Sequence, residues 1–77
     1  MTESLELDVE NTEGKFAFWY AGYKFVYLVY RKGNRWEWEL IASTGADKVS
    51  KETFGILASF AIKVVAERLT STGGGKA

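Results

Sequence analysis

Apolar and charged residues alternate strictly from Leu5 to Glu10. A repeat of two is that of a β-strand, so this segment predicts a strand with leucine and valine on one face and carboxylates on the other. Later segments are rich in Phe, Tyr, Trp and Val, residues that suit a pleated sheet. They predict three more strands, at about 15–21, 24–31 and 35–43.

Three turn signals separate these strands and set how they pair. Residues 11–14 form the first turn, Gly22 lies in the second, and Gly33-Asn34 suits a two-residue type II′ hairpin. Because short turns join antiparallel neighbours, the strands are expected to follow one another as a meander. The predicted opposite pairs are Leu7 with Phe18, Val9 with Phe16, Phe18 with Phe25 or Tyr27, Tyr27 with Leu40, and Val29 with Trp38.

The apolar repeat changes from two to three and four after residue 50. This spacing is that of a helix with one apolar stripe, and Ser50 is a suitable N-cap, so a helix is predicted over 51–69. The Thr/Ser/Gly-rich residues 70–77 are expected to form a flexible tail after a single domain spanning 1–69. The stripe consists of Phe54, Leu57, Ala58, Ala61, Ile62, Val65 and Leu69.

These elements define an α+β fold, in which a four-stranded antiparallel β-meander is followed by one C-terminal α-helix packed on one sheet face. The pairs predicted for the three hairpins all agree in placing one set of uncharged residues on the same face. This face is therefore expected to form the core beneath the helix. A slip of one residue in any hairpin would turn that strand over. The predicted core face consists of Leu5, Leu7, Val9, Phe16, Phe18, Tyr20, Phe25, Tyr27, Val29, Trp36, Trp38 and Leu40.

The opposite sheet face combines an apolar centre with acidic edges. Trp19, Val26, Leu28 and Tyr30 lie in the middle, whereas a solvated antiparallel face is normally mostly polar. Large apolar residues in that position indicate a surface that is covered or binds a partner. Carboxylates at the edges discourage aggregation between strands, and they also fit a protein partner that carries basic residues. The first strand contributes Glu6, Asp8 and Glu10 to this face, and the fourth contributes Glu37, Glu39 and Ile41.

The helix carries more apolar surface than one sheet covers. Ile56, Phe60 and Val64 lie to one side of the stripe, and a helix that is apolar around most of its circumference is usually buried on two sides. We therefore predict a homodimer, formed either through these three residues of the helix or through the outer sheet face. A broad core that takes in Phe60 within a monomer is the alternative.

Composition excludes several classes of protein. The chain has 77 residues, 47% hydrophobic and 16% aromatic, with ten Lys+Arg against ten Asp+Glu and neither His nor Cys. Disordered chains, disulfide-stabilised domains and Cys/His zinc sites are excluded. No apolar run is long enough to span a membrane, and no signal-peptide pattern is present. We expect a cytoplasmic protein stabilised by dense aromatic packing or self-association.

The chain offers little catalytic chemistry. Without His or Cys, the commonest general base and the thiolate nucleophile are missing. Glu37 and Glu39 could hold a hard cation, but exposed carboxylates on an edge strand are ordinary, so no catalytic residue, metal site or cofactor is predicted. Basic residues that could contact nucleic-acid phosphates are Lys24, Arg31, Lys32 and Arg35, the last three at the tip of the third hairpin.

The order of elements, four strands and then one long helix over residues 5–69, resembles the PC4-type single-strand-binding domain. The resemblance implies a dimer that presents aromatic and basic side chains to single-stranded nucleic acid. This is the second of two hypotheses. The first is a non-enzymatic, dimeric protein-interaction module that acts as a regulator or inhibitor, since small size and missing catalytic residues fit proteins of the kind that phages and mobile elements encode.

Overall fold

Short turns make each strand the hydrogen-bonded neighbour of the next, so the four strands form one antiparallel sheet in the order β1-β2-β3-β4. The structure is a computed structural model that describes residues 3–74, with side chains through residue 71. The strands are followed by a short 3₁₀ turn and by one helix that packs on the sheet, which confirms the predicted ββββα fold. The elements are β1 (Ser4–Asp8), β2 (Glu13–Tyr20), β3 (Tyr23–Lys32), β4 (Arg35–Ser43), the 3₁₀ turn (Ala46–Lys48) and α1 (Lys51–Gly74).

The second and third hairpins pair as their turn residues predict. Gly33 has a φ of +68°, which a type II′ turn requires at its first central position. In the β2–β3 hairpin, Ala21 and Gly22 have φ values of +54° and +85°, and two positive values mark a type I′ turn. The resulting pairs confirm the expectation: they include Phe18 with Phe25, Tyr27 with Leu40 and Val29 with Trp38.

The predicted pairing of β1 with β2 is wrong by four residues. Leu7 lies opposite Gly14 rather than Phe18, and the partner of Phe16 is Leu5 rather than Val9. The chain already turns at 9–12, because the Asp8 carboxylate accepts hydrogen bonds from the backbone N–H and the side-chain amide of Asn11, at 3.2 and 2.7 Å. Since a shift of four residues is even, the faces of β1 are unchanged.

A β-bulge interrupts the regular alternation of β4. Tyr27 lies opposite Leu40 and Val26 opposite Ala42, so Ile41 is the extra residue. The sequence predicted a plain alternation that placed Ile41 beside Glu37 and Glu39. The apolar run at 40–42 hid the bulge, because a continuous apolar run carries no repeat from which to read a face.

The helix begins where its cap predicts and ends later than expected. The Ser50 hydroxyl accepts the backbone N–H of Thr53 at 3.2 Å, which is the geometry of an N-cap. The helix continues to Gly74 rather than ending at residue 69, because the Thr and Ser residues at 70–72 lower helix propensity only weakly and no proline interrupts them. Residues 75–77 of the predicted tail lie outside the described part of the chain.

The core lies between α1 and the face of the sheet that the alternation predicts. Residues from all four strands pack against the helix, and the Tyr27 hydroxyl donates a long 3.4 Å hydrogen bond to the Phe54 carbonyl. Burial raises the pKa of Tyr27 above its usual value. The buried hydrophobic residues are Phe16, Phe18, Phe25, Tyr27, Val29, Leu57, Ala58, Ala61, Val65 and Leu69.

Three residues of the predicted core face are exposed, while Leu5, Leu7, Trp36 and Leu40 are partly buried. Val9 lies in the first loop and is 46% exposed, while Tyr20 lies at the second hairpin and is 42% exposed. Trp38 is on the correct face but remains 41% exposed, although its ring centroid lies 5.4 Å from that of Tyr27. A single helix does not cover the full width of a four-stranded sheet, so residues near the edges stay partly open.

Candidate functional site

An apolar strip runs along the sheet face that points away from α1. Val26, Leu28 and Tyr30 are alternate residues of β3, and Trp19 of β2 lies diagonally across from Val26. These four residues, the outer strip, are the ones predicted to bind a partner. Trp19 is 54% exposed, and the other three are half-buried. Strand register explains why they meet: alternate residues of one strand share a face, and the β2–β3 pairing brings Trp19 to the same side.

Carboxylates lie around the Leu28 and Tyr30 end of the outer strip, in two cross-strand rows. One row consists of Glu6, Lys15, Leu28 and Glu39, and the next of Asp8, Glu13, Tyr30 and Glu37. The sequence placed Glu10 on this face, but Glu10 lies in the first loop, and Glu13 of β2 occupies the row instead. The acidic rim therefore consists of Glu6, Asp8, Glu13, Glu37 and Glu39.

Few basic groups compensate the acidic rim. Lys15 lies 3.5 Å from Glu6, and Arg35 lies 2.9 Å from Glu37. Both pairs are solvent-exposed, so each contributes little to stability. Hydrogen bonds from Asn11 hold the pKa of Asp8 below its usual value of 3.8, because they stabilise the charged form of this carboxylate. Five carboxylates against Lys15, Arg35 and the Lys32 that lies opposite Arg35 leave this part of the face net acidic.

The three helix residues predicted to form a dimer differ in how far they are exposed. Ile56 is 68% exposed, Phe60 is 44% exposed, and Val64 is half-buried against the core. The Phe60 ring packs edge-on against Phe16 and Phe18, with centroids 5.6 and 5.8 Å apart. One side of Phe60 therefore belongs to the core of its own chain, and the other side is open. We call Ile56, Phe60 and Val64 the helix ridge.

The basic residues proposed for nucleic acid do not form one patch. Lys24 lies opposite Trp19, while Lys32 lies opposite Arg35 at the other end of β3, about 26 Å away at 3.3 Å per residue. Arg31 is held locally: its Nε donates to the Gly33 carbonyl at 3.2 Å, and its guanidinium lies 5.9 Å from the centroid of the Trp36 ring. The acidic rim lies between the two basic ends of this face.

A groove between β4 and the start of α1 was not predicted. It has a volume of about 400 Å³ and is lined by Trp38, Leu40, Lys51, Phe54 and Gly55. We call it the β4 groove. One sequence signal could have revealed the groove, namely Gly55 inside the helical pattern. Glycine in a helix lowers helix stability by about 1 kcal/mol relative to alanine, so its presence there indicates a structural or functional reason. A Cβ built on Gly55 would meet no atom within 4 Å.

Other kinds of site find no support in the described residues. Within residues 3–74, no group of three acidic, His or Cys side chains is arranged to hold a metal ion. No helix of that range has the length and hydropathy needed to cross a membrane. Comparisons with protein-family models, with curated proteins and with solved structures find no match to this chain. The resemblance to the PC4-type domain thus stays one of element order.

Proposed function

We propose that this protein is a non-enzymatic, dimeric protein-interaction module that uses the outer strip to bind a basic segment of another protein, as a regulator or inhibitor does. The observation that carries the proposal is the outer strip itself. Trp19 is 54% exposed at its end, and Val26, Leu28 and Tyr30 extend it along the centre of an uncovered sheet face. Such a surface is atypical of a solvated antiparallel sheet and typical of an interface.

Charge supports a basic protein segment as the partner. Tyr30 lies between Glu13 and Glu37, and Leu28 has Glu39 on one side, so a partner with apolar residues in the middle and Lys or Arg around them would be complementary. The same carboxylates oppose nucleic acid, because the phosphate backbone is itself anionic and draws most of its binding energy from Lys and Arg. The outer strip and the basic residues at the two ends of the face therefore do not combine into one nucleic-acid surface.

The helix ridge supports the dimer. A second copy that packs on Ile56 and Phe60 would bury apolar surface that its own sheet leaves open. The alternative dimer, through the outer faces, would bring one acidic rim against another and is disfavoured by repulsion between like charges. The proposal therefore places self-association on the helix and leaves the outer face for the partner.

The dimer predicts a doubled mass in solution. Light scattering at high micromolar concentration should give about twice the chain mass of 8.6 kDa. Ile56→Lys should return it to the mass of one chain, because a charge in the centre of an apolar contact costs its desolvation. Trp19→Lys, on the other face, should leave the dimer intact. A mass of 8.6 kDa for the wild-type protein would contradict the dimer.

If the outer strip is the contact, a charged substitution there should weaken partner binding, and the same substitution on the helix should not. Wild-type protein on a resin, exposed to a nuclease-treated lysate of its source, should retain a basic protein. Trp19→Lys should retain at least tenfold less, because it removes the exposed ring at the end of the outer strip and places a second positive charge opposite Lys24, which repels a basic partner. Ser59→Lys, which adds the same charge to an exposed position on the helix, is the matched control and should bind like the wild type.

Two results would contradict this assignment. Equal retention by Trp19→Lys would show that the outer strip is not the contact. Retention from an untreated lysate that nuclease treatment abolishes would favour nucleic acid instead. In that case labelled single-stranded oligonucleotides should bind at low salt, and log K should fall by roughly 0.7 per phosphate contact for each log unit of salt.

A further inference from the structure

β4 is a long strand with one free edge. It spans nine residues, and in the strand order it lies at the end of the sheet. The other edge strand, β1, has five residues. Among the described residues, the backbone of β4 forms strand hydrogen bonds with β3 only. Proteins usually keep edge strands short or covered, because a free edge presents unpaired N–H and C=O groups that can accept another strand.

The β4 groove lies directly inside this free edge. Trp38 and Leu40 are inward-facing residues of β4, and Phe54 and Gly55 of α1 form the opposite wall. Gly55 leaves the groove open, since a side chain there would point into empty space, and Trp38 stays 41% exposed beside it. A volume of about 400 Å³ is enough for one large apolar side chain or two small ones.

We propose that an extended peptide segment with alternating apolar and basic residues adds to the free edge of β4. In such strand addition, backbone hydrogen bonds provide affinity and alternate side chains provide specificity. The inward side chains of the added strand would enter the β4 groove beside Trp38. The outward side chains would lie about 5 Å from their neighbours on β4, which are Arg35, Glu37 and Glu39, with Arg35 paired to Glu37.

The charges along β4 favour a peptide with outward basic residues over an acidic peptide or a second copy of this chain. Glu37 and Glu39 attract Lys or Arg on the outward face of the peptide, and Lys51 at the groove disfavours a basic residue on the inward face. A second copy of this chain is a poor occupant. Its β4, paired along the full strand, would set carboxylate against carboxylate, and its β1 would bring Glu6 and Asp8 to the same positions.

The site shares Glu37 and Glu39 with the acidic rim but does not use the four residues of the outer strip. The probes are a blocked nine-residue peptide that alternates valine with lysine, and its counterpart with glutamate at each lysine position. The lysine peptide should bind with at least tenfold higher affinity and should shift the backbone amide resonances of residues 35–43. A lysine peptide that is N-methylated at alternate residues, so that one edge cannot donate hydrogen bonds, should lose most of this binding.

Variants of the protein separate the edge from general acidity. Glu37→Lys/Glu39→Lys should reverse the preference toward the glutamate peptide. Glu6→Lys/Asp8→Lys makes the same charge change on β1 and should leave the preference unchanged. Gly55→Gln fills the groove with an uncharged helix former and should weaken binding of the lysine peptide at least tenfold, while the circular dichroism spectrum stays that of the wild type.

Several outcomes would overturn the proposal. These are equal binding of the two peptides, amide shifts confined to the outer strip, unchanged binding after N-methylation, and no binding at millimolar concentration. Trp19→Lys distinguishes this site from the proposed function. That variant should lose the protein partner of the outer strip and keep the peptide on β4, so either proposal can fail while the other stands.

Discussion

An alanine at position 18 is expected to destabilise the protein by about 3–5 kcal/mol, the cost typical of removing a buried aromatic ring. Phe18 is 4% exposed and lies among four rings, with centroid distances between 5.0 and 6.2 Å. Removing the Phe18 ring would leave a cavity that the four neighbouring rings cannot close by moving inward. A domain of this size has about 4–12 kcal/mol of total stability. Urea titration of the Phe18→Ala variant should therefore show a much lower unfolding midpoint and little remaining free energy of unfolding.

Trp19→Ala is the matched control for Phe18→Ala, because it removes a larger ring from the next residue of the same strand. Trp19 is 54% exposed on the opposite face, so the expected loss is below about 1 kcal/mol. Two neighbouring aromatic residues with such different costs would establish which face of β2 meets the helix. Equal costs, or a larger cost at residue 19, would contradict the register and place the outer strip in the core.

Gly45→Ala is expected to destabilise the protein by about 1–3 kcal/mol through overpacking. A Cβ at Gly45 would lie 2.6 Å from the Cβ of Tyr23 and closer still to its ring, well inside the 3.5–4.0 Å of normal carbon contact. The loop has little freedom to retreat. The N–H of Gly45 donates to the Ser43 hydroxyl at 3.1 Å, and its carbonyl accepts the N–H of Lys48 at 2.9 Å.

Gly55→Ala makes the same chemical change in open space and should have the opposite sign. It is expected to gain up to about 1 kcal/mol, the difference in helix propensity. Thermal melts of the two variants, compared with the wild type, should show whether each alanine raises or lowers the stability of the protein. In the Gly45→Ala background, Tyr23→Ala should restore only part of the loss, because the Cβ of residue 23 remains. A stable Gly45→Ala variant would contradict the close contact with Tyr23.

Local chemistry accounts for the parts of the fold that the sequence predicted correctly. The Gly33-Asn34 dipeptide suits a turn with positive φ at its first position and placed the third hairpin, while Gly22 limited the second hairpin to two registers. The start of the helix was equally local, since Ser50 caps the third residue after it. Each of these signals acts within four residues and does not depend on the rest of the chain.

The incorrect predictions arose where two local signals competed. Residues 8–10 continue the alternation of β1, yet Asp8 bonds to Asn11 and turns the chain, and the side-chain cap prevails over the alternation. At 40–42 the apolar run gave no indication of the bulge at Ile41. Because the shift in β1 was even, the outer strip was still correct, while the acidic rim had to exchange Glu10 for Glu13.

The sequence by itself determined the order of elements and the face of nearly every large side chain, because both follow from repeats of two and of 3.6 along the chain. Only the tertiary structure decided how far each residue is covered. The helix approaches the sheet closely at Gly14, where an added Cβ would lie 2.8 Å from side-chain atoms of Leu7 and Val65. That approach sets the position of α1, and so it decides that Phe60 and Trp38 stay partly open and that a groove lies beside β4. No repeat along the chain carries this information, because coverage depends on where two separate elements meet.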